Sequence, residues 1–207
     1  MYRSNTFSRS RLATLVMSLA MLGALTTGCQ TLREFTALSQ VDFALDRVSG
    51  MRLAGVDLGR IDSYSDLSYS DLGRITSSLM SGRMPMEFNL HVSAENPSDN
   101  SVQARLLEMD WTLLLQERET VAGRLDREVV LPPGQPKDIP LAISLDLVDF
   151  VEGSVVDLVE LALAVAGDER GSPKEIALRA QPTVQTAIGP IRYPGEITIV
   201  SQTLGGD

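Results

Sequence analysis

The chain has 207 residues with 18 basic and 27 acidic side chains, one cysteine and one histidine, for a formal net charge of −9. That length suits one domain of ordinary size with its own core. The lone cysteine excludes an intramolecular disulfide, the lone histidine excludes a multi-histidine metal site, and the acidic balance leaves no basic patch for nucleic acid.

Arg3, Arg9 and Arg11 precede an apolar run from Leu12 to Leu25, and no acidic residue comes before Cys29. The run is shorter than the roughly 20 residues of a membrane-spanning helix. A basic start, a short apolar centre and the small residues Thr26, Thr27 and Gly28 form a secretory signal. The segment resembles the signal-peptide end of bacterial lipoproteins, whose lipobox reads Leu-Ser/Ala-Gly/Ala-Cys; here Thr26 stands three before the cysteine, with Leu25 one position further out. The resemblance implies a signal peptide over 1–28 and a lipid-carrying Cys29. Acylation would also remove a lone thiol that an oxidising compartment makes a liability. At ~0.8 kcal/mol per buried methylene, more than one acyl chain anchors stably. Two other readings stand beside this one: an uncleaved anchor, or a cut elsewhere that leaves Cys29 an ordinary thiol. Gln30, where some bacteria read an Asp as a sorting signal, points to the outer membrane, facing the periplasm. Cleavage leaves 15 basic against 27 acidic residues, near −12.

Residues 29–40 read as a tether. Apolar positions Phe43, Leu45, Val48, Met51, Leu53 and Val56 follow, with a first strand expected over Val48–Val56 and a turn near Gly59. A five-residue repeat comes next, Ser63-Tyr64-Ser65-Asp66-Leu67 and Ser68-Tyr69-Ser70-Asp71-Leu72. It reads as a helix start, with Ser70 or Asp71 as N-cap and Leu72, Ile75 and Leu79 on one face; the other reading is a recognition loop displaying Tyr64 and Tyr69. Met86, Phe88, Leu90, Val92 and Ala94 alternate with polar residues, predicting a half-buried strand. Glu95 to Asn100 is a dense turn signal. Strands are expected over Val102–Leu115, Val121–Val130 and Ile139–Leu147, separated by turns at Gln116–Thr120 and Pro132–Pro136.

The period then changes. Val151, Val155, Leu158, Ala162 and Val165 step by four and three, predicting a helix that ends near Gly167. Val156, Val159 and Leu163 widen its apolar side, which lies on a sheet or covers a lipid pocket. Strands around Ile176–Ala180, extending toward Ile188, and around Ile197–Ile199 precede a tail over 201–207. About seven strands and one substantial helix predict a mainly β fold, an antiparallel sandwich.

Several segments occur in a known order. They are Val48-Ser49-Gly50-Met51-Arg52-Leu53-Ala54-Gly55-Val56-Asp57-Leu58, Ala94-Glu95-Asn96-Pro97, the Leu107–Leu115 strand, Leu131-Pro132-Pro133-Gly134, the Ile139–Leu147 strand, and Gly189-Pro190-Ile191-Arg192-Tyr193-Pro194-Gly195-Glu196-Ile197. Together, over 41–200, they resemble the late embryogenesis abundant type 2 proteins, also called the water-stress and hypersensitive-response domain. Ser98 departs from the second Asn that the family carries in its Asn-Pro-Asn turn. The resemblance implies a fibronectin type III-like or immunoglobulin-like sandwich, no catalysis, and an association with protection under stress. Asn96 and Pro97 read as a structural turn, because Asn before Pro leaves the helical region and bonds nearby backbone.

Catalytic chemistry has little to work with. His91 falls on the polar parity of its strand and reads as a surface residue, and no serine sits in a nucleophile elbow. Asp146, Asp149 and Glu152 read as a helix cap rather than a calcium site. The expectation is a non-enzymatic envelope protein without cofactor or metal. Its membrane partner is reached through Cys29, and envelope proteins are further candidate partners. The alternative is a carrier of a lipid or other apolar ligand.

Overall fold

The protein, described by a computed structural model over residues 41–100, 102–115, 117–150, 154–166, 176–186 and 189–200, places ten strands in two antiparallel sheets. They are β1 (Asp42–Leu53), β2 (Val56–Asp57), β3 (Pro85–Glu95), β4 (Ala104–Leu115), β5 (Arg118–Leu125), β6 (Val129–Leu131), β7 (Lys137–Asp146), β8 (Ile176–Thr186), β9 (Gly189–Arg192) and β10 (Ile197–Val200). One sheet has the order β2-β1-β3-β7; the other runs β10-β8-β4-β5, with β6 on β4 and β9 on β8. Two helices, α1 (Tyr69–Met80) and α2 (Val155–Ala166), complete the described chain. The mainly β sandwich expected from the sequence is what forms.

The clearest alternations give the plainest strands. Met86, Phe88, Leu90, Val92 and Ala94 of β3, and Ile139, Leu141, Ile143 and Leu145 of β7, all face the core. β3 pairs with both β1 and β7. β1 is less regular. Asp46 is an extra residue between the pairs Leu45–Val92 and Arg47–His91, and Gly50-Met51 together oppose Phe88. Each bulge shifts the side-chain parity by one. The two shifts cancel for Leu45, Met51 and Leu53, which all reach the interior, and between them they bring Val48 against the core and turn Arg47 and Ser49 out; the strand begins well upstream of the expected Val48. The strand itself turns at Ala54-Gly55, both left-handed at φ 50 and 76, and the turn expected near Gly59 follows the short β2, with Ile61 N–H donating to the Leu58 carbonyl at 3.1 Å. At the first of these turns an alanine in place of the usual Asn or Asp hides the signal; the Ala54 N–H donates to the Pro85 carbonyl at 2.8 Å and holds it there.

The serine repeat builds two successive caps. Ser63 N–H donates to the Asp66 carboxylate at 2.9 Å and starts a single 3-10 turn. Ser68 repeats the arrangement with Asp71 and opens α1. The N-cap is therefore Ser68, two and three residues before Ser70 and Asp71, because its hydroxyl accepts from the Asp71 N–H while donating to the Asp71 carboxylate. Tyr64 is half-buried and Tyr69 fully exposed. A third such box, Ser154 with Asp157, opens α2. Val151 lies outside the described residues. Leu158, Val159, Leu161, Ala162 and Val165 of α2 are buried, while Val156 is exposed; the helix packs against β1 and α1. The Ile139–Leu147 strand stops at Asp146, whose carboxylate accepts from Met84 N–H at 2.6 Å and from Val148 N–H, turning the chain into a 3-10 turn over Leu147–Asp149. The segment expected as Val121–Val130 divides into β5 and β6, both paired with β4, and the turn before it is shorter than Gln116–Thr120 because Arg118–Thr120 belong to β5. In β4, a bulge at Leu107 separates buried Leu106 from buried Met109.

β5 runs close to β7, and β10 to β1. β7, the end strand of its sheet, carries Pro140, which has no N–H to offer a newcomer. Trp111 plugs the core beside β5. Its Cα partners are Gly123 and Ala180, and a Cβ on Gly123 would lie 2.2 Å from Trp111 Cζ2. Among the described residues the indole N–H has no acceptor, a cost of about 1–3 kcal/mol carried by the large apolar burial of the ring. Gly123→Ala is expected to lower stability by about 1–3 kcal/mol through overpacking. Gly195→Ala, where nothing lies within 4 Å, should stay within about 0.5 kcal/mol of the parent. Urea unfolding of the two variants side by side checks both.

Candidate functional site

The outer face of the β2-β1-β3-β7 sheet carries a compact cluster of hydrogen-bonded polar groups. The bulge at Asp46 turns Arg47 and Ser49 outward, onto the face that already holds His91 of β3 and Asp138 of β7. His91 Nδ1 lies 2.8 and 2.9 Å from the Asp138 carboxylate oxygens, and Nε2 lies 2.8 Å from Ser49 Oγ. Arg47 Nη2 donates to Asp138 at 2.8 Å and sits 3.1 Å from His91 Nδ1; its other nitrogen contacts Asp46. Burial works to raise the Asp138 pKa, and the hydrogen bonds and charges of His91 and Arg47 outweigh it and hold the carboxyl below its usual range. His91 is thus not the free surface residue expected: its side chain is only 12% exposed and joins three strands. Ser49 and Arg47 reach it through the bulged register of β1 and Asp138 through the unbroken register of β7, so no local spacing announces them.

Beside this cluster the same face dips into a trough of about 490 Å³ lined by Gly50, Arg52, Asp57, Glu87, Asn89 and Ser144, among others. Arg52 stands directly across from Asp57 on β2 and Glu87 on β3.

The outer face of the six-stranded sheet is a charge ladder. Arg124 and Arg192 each hold an oxygen of Asp110 at 2.6 Å, Arg124 also approaches Glu108, and Arg179 contacts Glu119 and Glu196. Burial pushes the Asp110 pKa up, but the hydrogen bonds and charges of Arg124 and Arg192 outweigh it and lower the group overall.

Of the sequence-selected residues, Cys29 lies outside the described residues. Asn96 is fully buried. Its Nδ2 donates to the carbonyls of Leu131 at 2.8 Å and Val102 at 3.1 Å, and its Oδ1 accepts from Asn100 at 2.8 Å. Its own carbonyl accepts from Gly134 N–H at 2.7 Å. Pro97 follows and fixes the chain at the edge of this node, with its carbonyl accepting from Asn100 N–H. Asp146 spends its carboxylate on backbone N–H groups, and Glu152 is outside the described residues.

No family model matches the chain, and no curated protein does. Among solved structures, the chain is similar to a protein provisionally assigned to the late embryogenesis abundant class, with 11% identity, TM-score 0.34, and coverage of 97% of this chain and 95% of that one. It is similar to a protein from Bordetella pertussis provisionally assigned as ApaA, at 15% identity and TM-score 0.34, covering 79% and 96%. A protein from Archaeoglobus fulgidus matches at 13% identity and TM-score 0.29, covering 58% and 88%. Likenesses this loose carry no functional argument.

Asn96→Ala would leave the Leu131 carbonyl, in a buried bond, and the Val102 carbonyl, in a half-buried one, without their donor; at about 1–3 kcal/mol for the first and less for the second, a loss of about 2–4 kcal/mol is expected, read from the urea midpoint. The Asp110 prediction concerns pH. A carboxyl with a lowered folded pKa contributes stability above its unfolded pKa, near 3.8, and loses it as pH falls through the folded value. The stability difference between the parent and Asp110→Asn should therefore be constant from neutral pH to about 5 and shrink below about 4, measured by denaturation at a series of pH values.

Proposed function

We propose that the protein is a lipid-anchored bacterial envelope protein whose sandwich domain, of the late embryogenesis abundant type 2 kind, protects or binds other envelope components without catalysis. One observation carries the domain reading. Asn96-Pro97 and Leu131-Pro132-Pro133-Gly134, two of the segments on which the sequence resemblance rests, lock together through Asn96 into one buried node. The anchor rests on the short apolar run and Cys29, and the outer membrane on Gln30.

The Ser49–His91–Asp138 cluster has the atom pairs of a proton relay, yet the surroundings favour a cross-strand bridge. Ser49 lies within a strand, where backbone N–H groups point along the sheet toward neighbouring strands. A hydrolytic serine needs such donors aimed at a developing oxyanion. Asp138 is 46% exposed and shares its charge with Arg47, whereas the acid of a working triad is buried behind its histidine. The carrier reading was motivated by the broad apolar side of α2, and that side is occupied by the protein's own core.

Intact mass of the protein purified from membranes, beside Cys29→Ala, tests the anchor; the same preparation, dried with a labile enzyme, tests the role. The expected result is cleavage before Cys29 plus acyl chains, lost in the variant, together with greater recovery of enzyme activity. An unmodified Cys29 would overturn the anchor, and equal loss of enzyme activity with and without the protein would overturn the protective role.

A further inference from the structure

Charge around the trough is handled differently from charge on the rest of the two outer faces. On the six-stranded sheet, Arg124, Arg179 and Arg192 each find carboxylates. On the four-stranded sheet, Arg52 has Asp57 and Glu87 as its direct cross-strand neighbours. Opposite charges placed so ordinarily pair. Among the described residues, however, the side chains of Arg52, Glu87, Asn89 and Ser144 make no ion pair or hydrogen bond, and Asp57 spends one oxygen on Gly59 N–H at 2.8 Å. These open groups line one concavity whose floor is kept low by Gly50, at the second bulge, and Ala142. Its volume of about 490 Å³ falls in the range of small-molecule sites.

The charge pattern selects the ligand. The guanidinium fork of Arg52 matches a carboxylate in two parallel hydrogen bonds. Glu87 and the free oxygen of Asp57 accept from an ammonium, and Asn89 and Ser144 each offer a donor and an acceptor. A lone anion would meet two carboxylates in a chain of net charge −9; a lone cation would leave Arg52 facing it. A molecule bearing both charges satisfies each group. We propose that the trough over β1, β3 and β7 binds a small zwitterion with a carboxylate and an ammonium, either an α-amino acid or a short peptide. The site goes beyond the tethered-sandwich reading and depends on neither the anchor nor stress protection. In an open trough each ion pair is worth little, so the dissociation constant is expected on the order of 1 mM.

The test titrates the full-length protein in detergent with L-alanine and, separately, L-alanyl-L-alanine, following backbone amide shifts by NMR. N-acetyl-L-alanine and L-alaninamide, each with one charge blocked, serve as controls. The expected result is saturable shifts at Gly50 and Asn89, and binding at least ~10-fold weaker for both blocked compounds and in Arg52→Gln and Glu87→Gln. Arg124→Gln, on the other sheet, should bind as the parent does. Tighter binding of alanine assigns the free amino acid; tighter binding of the dipeptide assigns a peptide. No saturation by roughly 50 mM, far above the expected constant, would overturn the proposal. Binding unchanged in Arg52→Gln, or matched by a blocked compound, would overturn it equally.

Discussion

The arrangement of β1 against β3 is the constraint on which the rest hangs. The apolar residues of β1 arrive at spacings of three, three and two, from Leu45 to Val48 to Met51 to Leu53. A regular strand would keep Leu45, Met51 and Leu53 on one face but turn Val48 into water, at about 1.5–3 kcal/mol, and would aim Arg47 and Ser49 at the core. Two inserted residues, Asp46 and Gly50, correct the parity instead. Gly50 can do so because it takes a left-handed φ of 63, which a side chain would resist. The same two corrections decide what the outer face displays. They bring Ser49 and Arg47 to His91, set Arg52 between two acids, and sink the floor of the trough.

Sequence patterning therefore reads this fold unevenly, for physical reasons. β3 and β7 are uninterrupted, so period-two alternation shows them directly, and both lie as expected. β1 and β4 carry bulges, and each bulge erases the alternation at the place where it acts. The start of α1 was legible in kind but displaced, since the repeat offers several serines and only the one three residues before Asp71 caps the helix. Asn96 was legible as a turn former; the depth of its burial and its reach to Leu131, 35 residues on, were not. The His91 cluster and the trough were invisible because they are products of register between strands far apart in the chain.

The two outer faces show how one sandwich divides its labour. On β4, β5, β8 and β9 the charges are spent on one another, and such exposed pairs add modest stability while excluding other partners by occupying their own hydrogen-bonding groups. On β1, β2, β3 and β7 the groups near Gly50 are spent on nothing within the described residues. The interior is indifferent to the difference, since both sheets send the same kind of aliphatic side chain inward.

The near-closure of the two sheets has a colloidal consequence. Where β5 meets β7 and β10 meets β1, a neighbouring molecule finds no long flat row of backbone groups to extend, and Pro140 interrupts the one that remains. Crowding raises the frequency of encounters, but encounters turn into fibrous growth only through such rows. A sandwich covered at its edges in this way offers crowded neighbours few backbone groups on which to add a strand.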